Sequence, residues 1–192
     1  RLTNPMKNLI FLLTLTIAIA AHALSETEAQ IEREAAIAYT QGDYPVARQK
    51  FETLAQGGYA PAQFALGSIY LNGKGATSDP GKARDWWEKA AEQDYADAQY
   101  ALGLLYLKGY GVPEDAAAAR QWFEKAAAQD NAGAQFQLGY LYREGKGVAK
   151  NRAMAQEWFE KAAAQNNADA QAALGVIYIY SDDELGQSRG LD

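Results

Sequence analysis

The chain contains no cysteine and a single histidine, His22, within its 192 residues. The absence of cysteine excludes disulfide bonds, thiolate nucleophiles and cysteine-based metal sites. Because no histidine follows residue 22, the rest of the chain also lacks the parts of a serine–histidine or cysteine–histidine catalytic system and of the usual zinc sites. We therefore expect a protein that is stabilised by packing, with no catalytic residues, no metal site and no cofactor.

Charged residues are scarce near the start of the chain, where Leu9 to Ala20 form an apolar run that includes two threonines. Met6 and Lys7 precede the run, and Ala21-His22-Ala23 follows it with the small-x-small pattern of a cleavage site. We predict a leader of undefined role at residues 1–5, a signal peptide at residues 6–23, and a chain that is periplasmic or secreted after cleavage near Ala23. A retained anchor is the alternative, although the run is shorter than the ~20 residues that span a bilayer.

Basic residues are outnumbered, because 18 lysines and arginines stand against 24 aspartates and glutamates, a net charge of −6. Removal of Arg1 and Lys7 with the signal segment lowers the basic count to 16 and the net charge to −8. A surplus of negative charge repels nucleic acid and anionic membranes. We therefore expect no nucleic acid partner and no stable membrane insertion of the exported chain.

A period of 36 residues organises the chain after residue 56. A Leu-Gly pair, a tyrosine, an aromatic residue and a Lys-Ala-Ala triplet all recur at this interval, and the aligned columns are Leu66-Gly67, Leu102-Gly103, Leu138-Gly139 and Leu174-Gly175; Tyr70, Tyr106, Tyr142 and Tyr178; Trp87, Phe123 and Phe159; and the triplets that begin at Lys89, Lys125 and Lys161. Such a period indicates one supersecondary unit that stacks on copies of itself. We predict units at 57–92, 93–128 and 129–164 and a partial unit at 165–180.

Each unit carries the signals of two helices. In the first, apolar residues such as Ala62 and Leu66 recur at helical spacing, and a glycine that can adopt the left-handed conformation follows as a stop signal at Gly73, Gly109 and Gly145. The second helix is preceded by a side-chain acceptor placed to cap it, at Asp43, Asp79, Asp115 and Asn151. The pattern predicts an all-α superhelix, a solenoid of helix-turn-helix repeats with about nine helices.

The glycine beside each leucine needs a separate reason, because glycine inside a helix costs about 1 kcal/mol relative to alanine. A missing side chain allows a neighbouring helix or ring to approach the backbone closely. We therefore predict that an adjacent helix, or an aromatic ring such as that of Trp87 or Phe123, packs against each of Gly67, Gly103, Gly139 and Gly175.

The recurring stretches Ala-x-x-Leu-Gly-x-x-Tyr, Gly-x-Gly and Trp-Phe/Trp-x-Lys-Ala-Ala resemble the Sel-1-like repeat family of the tetratricopeptide superfamily. Residues 24–56 look more like a tetratricopeptide hairpin, with a connection that is five residues shorter and with Ser25 and Glu28 able to cap its first helix. The resemblance ends after Tyr180, so residues 181–192 form a divergent tail. The last helix is apolar nearly all round. Three explanations of this apolar helix remain open: the tail folds back over it, a partner binds it, or the repeat is truncated.

The resemblance implies an exported adaptor or scaffold that binds a protein or peptide partner. First helices line the concave surface in tetratricopeptide relatives, and this implies a groove formed by Phe64, Asn72, Tyr100, Leu104, Lys108, Phe136, Tyr140, Arg143 and Glu144. Tyr100, Phe136 and Tyr140 would form its aromatic floor, with charge from Lys108, Arg143 and Glu144. Alternatively, the column Phe64, Tyr100 and Phe136 packs between neighbouring repeats.

The second candidate function is a cell-wall-directed or β-lactamase-like enzyme, because cysteine-rich members of the family have been associated with penicillin binding or β-lactamase activity. This chain lacks their cysteines, and it also lacks the Ser-x-x-Lys, Ser-Asp-Asn and Lys-Thr-Gly motifs of a serine β-lactamase. The sequences Gly73-Lys74-Gly75 and Gly145-Lys146-Gly147 lack the remaining positions of a phosphate-binding loop. We therefore expect a binding protein rather than an enzyme.

Overall fold

The computed structural model describes residues 25–188, with side chains as far as residue 179. Within that range the chain forms nine α-helices and no strand, which confirms the predicted all-α repeat fold. The helices are α1 (Glu26–Thr40), α2 (Tyr44–Gln56), α3 (Ala60–Asn72), α4 (Pro80–Ala91), α5 (Ala96–Lys108), α6 (Ala116–Ala127), α7 (Ala132–Glu144), α8 (Arg152–Ala164) and α9 (Ala168–Ser188). None of them is long and apolar enough to cross a bilayer. The predicted leader and signal peptide, at residues 1–23, lie outside the described residues.

The helices stack in chain order, and each packs mainly on the helices just before and after it. We call α3, α5, α7 and α9 the first helices of their units and α4, α6 and α8 the second helices. The buried side chains form a row of clusters along the stack, each shared by neighbouring helices, instead of one central core. This is the arrangement expected of a solenoid, in which each unit contacts only its neighbours.

The predicted helix caps are present. The side chains of Asp43, Asp79, Asp115 and Asn151 each accept a hydrogen bond from a backbone N–H in the first turn of the helix that follows. Ser25 and Glu28 form the reciprocal capping box at the start of α1, in which the Ser25 N–H donates to Glu28 Oε2 at 2.8 Å. These bonds satisfy donors that the helices themselves leave unpaired.

The chain reverses direction through two kinds of left-handed residue. The predicted stop signals Gly73, Gly109 and Gly145 end α3, α5 and α7 with φ values of 67°, 68° and 71°. The turns after the second helices use Asp94, Asp130 and Asn166 instead, with φ values of 58°, 59° and 63°. Aspartate and asparagine tolerate this region better than other residues with a side chain. Both turns recur at the 36-residue period.

The aromatic ring of each second helix packs on the glycine of the first helix in the same unit. A Cβ atom on Gly139 would lie 2.6 Å from Cδ1 of Phe159, and a Cβ on Gly67 or Gly103 would overlap the ring of Trp87 or Phe123. The predicted close approach is therefore confirmed in the three complete units. The prediction was wrong at Gly175, where no atom of the described residues lies within 4 Å of the Cβ position.

The reason for the difference at Gly175 is the course of α9. In the complete units a Gly-x-Gly loop follows the first helix and leads to the second helix, which supplies the ring. In the last unit α9 continues through Ser181-Asp182-Asp183 to Ser188, so within the described residues no second helix follows it. The glycine is present, but the ring that it accommodates elsewhere is not.

A row of glutamine pairs joins the first helix of each complete unit to the end of its second helix. Gln63, Gln99 and Gln135 are buried, and the Oε1 atom of each accepts a bond of 2.8 Å from the Nε2 of the glutamine 30 residues later, namely Gln93, Gln129 and Gln165. The Nε2 of Gln99 in turn donates to the carbonyl oxygen of Ala91 at 3.3 Å, near the end of the preceding second helix. A buried amide must be hydrogen-bonded to be tolerated. The pairs therefore link α3, α5 and α7 with the turns that directly follow α4, α6 and α8, and the bond to Ala91 joins two units.

Candidate protein-binding face

The nine residues predicted to line a groove lie on three consecutive first helices. Phe64 and Asn72 lie on α3, three others on α5, and four on α7. Their exposure divides them into two groups. Asn72, Lys108, Arg143 and Glu144 are exposed at the ends of the helices, whereas Phe64, Tyr100, Leu104, Phe136 and Tyr140 are half-buried. We call these nine residues the first-helix face.

The half-buried aromatic residues of the column Phe64, Tyr100 and Phe136 cover the core rings of their own units. The centroids of Phe64 and Trp87 are 6.3 Å apart, those of Tyr100 and Phe123 5.9 Å, and those of Phe136 and Phe159 5.6 Å. Burial also raises the pKa of the Tyr100 hydroxyl. Each ring thus contributes to the packing of its unit and offers only part of its surface to a partner.

Contacts between neighbouring units involve the same column. The ring of Phe64 lies 5.6 Å from that of Tyr95, just before α5. A Cβ atom on Gly133 would lie 3.0 Å from Cζ of Tyr100, so the tyrosine also reaches the next unit. These contacts support the alternative in which the aromatic column packs between repeats. Tyr140 lies outside this column and is the candidate floor residue beside the charged ends of α7.

Tyr140 lies beneath two cations. The guanidinium carbon of Arg143 is 5.5 Å from the centroid of its ring, and the Nζ atom of Lys146 is 5.8 Å away. Arg143 also pairs with its neighbour, since its Nε donates to Oε1 of Glu144 at 2.8 Å. The ring holds the cations by cation–π attraction at this end of α7. The arrangement can bind a carboxylate above an aromatic surface.

Two open cavities lie in the stack, one of ≈ 270 Å³ beside α9 and one of ≈ 330 Å³ beside α1. The cavity of ≈ 330 Å³ adjoins the first-helix face at Phe64. It lies between α1, α2 and α3 and is lined by Ala36, Tyr39, Thr40, Phe51, Phe64, Ala65 and Ser68. Its walls are largely apolar. The cavity can therefore accept one large apolar side chain of a partner.

The residues of this cavity, apart from Phe64, were not among the predicted site residues. Because the connection in the first hairpin is five residues shorter, α1 aligns with α3 after a shift of 31 residues and not 36. In that alignment the exposed Arg33 takes the position of Phe64. Among the described residues no aromatic ring therefore covers Phe51 as Phe64 covers Trp87. Phe51 is half-buried, whereas its counterparts Trp87 and Phe123 are buried. The shifted alignment contains the signal that would have revealed the cavity.

Metal binding finds no support in the described part of the chain, residues 25–188. There, no three His, Cys, Asp or Glu side chains lie close enough together to hold an ion.

The first-helix face and its surroundings combine partly exposed aromatic rings, exposed charges and an apolar cavity. These are the components of surfaces that bind polypeptide segments.

Comparison with known families finds one family in four successive segments. The Sel1 repeat matches residues 60–95, 96–131, 132–167 and 168–189, so that each matched unit begins at the first residue of a first helix. The interval is the 36 residues found in the sequence, although the matched units start three residues later than the predicted ones. A comparison with curated proteins found no match.

Solved structures with the same repeat resemble the chain closely. A Sel1 repeat protein from Oxalobacter formigenes is 35% identical over 77% of this chain, with a TM-score of 0.72. The protective antigen c5321 of uropathogenic Escherichia coli, which displays an SLR fold, is 34% identical over 88% of this chain, with a TM-score of 0.76. This chain spans 60% and 36% of the lengths of those two proteins. The cysteine-rich protein B of Helicobacter pylori is 26% identical over 66% of this chain and 96% of its own, with a TM-score of 0.53.

Proposed function

This chain belongs to the Sel1 repeat family, and from that premise we propose that it is an exported scaffold whose first-helix face binds a segment of another protein. Proteins built from Sel1 repeats are generally protein-interaction scaffolds and typically not enzymes. The groove and the export of this particular chain are the parts that we add. The predicted signal segment at residues 6–23 supports export.

The observation that carries the proposal is a variable surface on a constant framework. The framework positions repeat, because Leu66, Leu102 and Leu138 are all fully buried and each adjoins a glycine that accommodates a ring. The neighbouring surface position instead changes from Ser68 to Leu104 to Tyr140. A change of chemistry from unit to unit, without a change of fold, suits a partner that presents different side chains along its length.

The chemistry of the face suggests how such a segment binds. An apolar side chain of the partner enters the ≈ 330 Å³ cavity between α1, α2 and α3. The chain then runs across Leu104 and Tyr140 toward the far end of α7, where an acidic side chain meets Arg143 and Lys146 above the Tyr140 ring. Aromatic and arginine residues dominate the binding energy of such interfaces.

The experiment begins with affinity capture from an envelope extract, followed by mass spectrometry and a binding titration with the purified partner. The double variant Tyr140→Ala, Lys108→Ala removes ring and charge from two first helices and should weaken binding by at least about tenfold, which corresponds to ~1.4 kcal/mol. The matched control Gln121→Ala, Lys125→Ala changes two exposed residues of the second helix α6 and should bind as the wild type does.

Two results would count against the proposal. If the wild type and the Tyr140 double variant bind the partner with equal affinity, the first-helix face is not the binding surface. If N-terminal sequencing shows that the protein recovered from cells retains residues 6–23, the prediction of cleavage near Ala23 is wrong. Each result tests one part of the proposal and leaves the other standing.

A further inference from the structure

The first hairpin differs from the later units by one aromatic ring. In each complete unit an aromatic residue of the first helix covers the core ring of the second helix, as Phe64 covers Trp87 with ring centroids 6.3 Å apart. With the shift of 31 residues Arg33 of α1 takes the position of Phe64, and Phe51 of α2 is the counterpart of Trp87. The ring that would cover Phe51 is therefore replaced by an arginine side chain.

The place of this ring is the cavity of ≈ 330 Å³ between α1, α2 and α3, which Phe51 and Phe64 both line. The guanidinium of Arg33 lies with Gln30, since its Nη2 atom donates to Oε1 of Gln30 at 2.8 Å. Ile37, one turn after Arg33 on the same face of α1, is 53% exposed. The place that a ring of the first helix fills in the complete units is thus open here, and its surroundings are apolar.

A cation lies beside the cavity. Tyr39 lines the cavity, and the Nζ atom of Lys74 is 5.5 Å from the centroid of its ring and 5.2 Å from the centroid of Tyr44. The two rings hold the ammonium group by cation–π attraction. Lys74 is exposed, and it forms no ion pair with a carboxylate of residues 25–179. An anionic group of a partner can therefore reach it from solvent.

We propose that the cavity takes an aromatic side chain of the partner and that Lys74 binds an acidic side chain next to it in the partner's sequence. The occupant is aromatic because a ring covers the equivalent core ring in each complete unit. Its neighbour is acidic because the charge beside the cavity is positive. The two are adjacent because Tyr39 both lines the cavity and contacts Lys74, and consecutive Cα atoms are only about 3.8 Å apart.

This assignment rests on the proposed function, in which the same cavity accepts an apolar side chain of a partner, and it names that side chain and its neighbour. Capped peptides test it without the rest of the partner. The acetylated and amidated tetrapeptides Gly-Phe-Glu-Gly and Gly-Glu-Phe-Gly carry the pair in its two orders. In an NMR titration of the isotope-labelled full-length protein at low salt, at least one of them should bind saturably and shift the amide signals of residues 36–40 and 64–68.

Two changes in the peptide separate the ring from the charge. Replacement of phenylalanine by alanine should weaken binding at least about tenfold, because the cavity then stays unfilled. Replacement of glutamate by glutamine should weaken binding about two- to fivefold, as expected of an exposed ion pair. High salt should reduce this second difference, since it screens the charge of Lys74.

Two variants of the protein locate the two halves of the site. Arg33→Phe supplies the ring from α1 itself, so it should abolish binding of the tetrapeptide and raise Tm by covering Phe51. Lys74→Met keeps an apolar side chain beside Tyr39 without the charge, and it should bind the glutamate and glutamine peptides equally. The matched control Lys125→Met, in α6, also removes a lysine that lies over an aromatic ring, and it should keep the preference for glutamate.

Three results would overturn the proposal: neither tetrapeptide binds, the Arg33→Phe protein binds as tightly as the wild type, or the Lys74→Met protein keeps the preference for glutamate. A dimer in sedimentation that Arg33→Phe converts to a monomer would also overturn it, because the occupant would then be a second copy of the chain.

Failure of this site is distinguishable from failure of the first-helix face. Tyr140 and Lys108 do not line the cavity, so the double variant Tyr140→Ala, Lys108→Ala should bind the tetrapeptide as the wild type does. If the same variant also keeps full affinity for the natural partner, the first-helix face is refuted and the site beside Lys74 stands. If it loses the partner while no tetrapeptide binds the wild type, the site beside Lys74 is refuted alone.

Discussion

Replacement of Gly103 with alanine sets the packing of a ring against the propensity of a helix. Alanine within a helix is favoured over glycine by about 1 kcal/mol. The new Cβ atom, however, would overlap the ring of Phe123, which is fully buried and has no exposed side on which to move. Overpacking of this kind costs about 1–3 kcal/mol, and overlap with several ring atoms places the cost at the upper end. We expect a net loss of about 2 kcal/mol.

The assay is unfolding by urea and by heat, followed by far-ultraviolet circular dichroism. For a protein of this size, a loss of about 2 kcal/mol lowers Tm by about 4–8 °C. Gly175→Ala is the matched control, because Gly175 occupies the same helix position and, in the part of the chain that the structure describes, has no atom within 4 Å of its Cβ position. There only the propensity changes, so stability should stay the same or rise by up to about 1 kcal/mol.

A double-mutant cycle identifies the ring as the cause. Phe123→Leu removes ring atoms and destabilises by itself, but it also makes room for the new methyl group. The combined variant Gly103→Ala, Phe123→Leu should therefore lose less than the sum of the two single losses, by about 1 kcal/mol or more. The reasoning fails if the two losses add, or if Gly103→Ala raises stability as Gly175→Ala does.

The polar contacts of the framework give three further expected outcomes. Gln99→Leu deprives Gln129 of its acceptor and should lower the free energy of unfolding by about 1–2 kcal/mol in urea titrations, since it also frees a buried backbone carbonyl. Asp115→Ala removes a cap that accepts two backbone hydrogen bonds and should cost about 1 kcal/mol, whereas Asp115→Asn should retain most of the stability. Hydrogen bonds from Ser25 hold the pKa of the Glu28 carboxyl below its ordinary value of 4.5. The cap that Glu28 forms is therefore present above that pH and is lost as the pH falls through the lowered pKa. Amide exchange in the first turn of α1 should accelerate when the cap is lost.

The regular parts of the fold could be predicted from the sequence because local chemistry determines them. A glycine after an apolar helical stretch and an aspartate or asparagine before the next one mark helix ends without reference to the rest of the chain. Gly73 and Asp79 are examples, and both have the predicted role. The period then extends each local signal to every unit. This is why the helix count and the order of the helices followed from the residues alone.

Other features depend on which side chains meet in space, and the apolar pattern does not specify this. The glutamine pairs were missed because glutamine counts as a surface residue, although Gln63, Gln99 and Gln135 recur at the period and could have been noticed. The lysines of the Lys-Ala-Ala triplets were recognised as a recurring column, but the rings that they contact were not predicted. Their Nζ atoms lie 4.1–4.3 Å from the centroids of Trp86, Trp122 and Trp158, one turn away on the second helices.

The first-helix face was predicted as a set of positions, and the structure adds how much of each side chain is available. Phe64, Tyr100 and Phe136 are at the predicted positions, but part of each ring packs on a core ring. The cavity beside Phe51 escaped prediction because the shorter connection changes the alignment of α1 by five residues. If the 36-residue period is applied to α1 in place of the shift of 31 residues, residues that are not equivalent are compared.

The bond from Gln99 to the carbonyl oxygen of Ala91 crosses from one unit to the preceding helix, and it recurs as Gln63 to Ala55 and Gln171 to Ala163. A second copy of residues 96–131 inserted after residue 131 would therefore meet the same chemistry at both of its new junctions. Errors of DNA replication that duplicate or delete 36 codons can thus lengthen or shorten the array while the protein still folds. The number of units, and with it the reach of the scaffold, is open to change in single genetic steps.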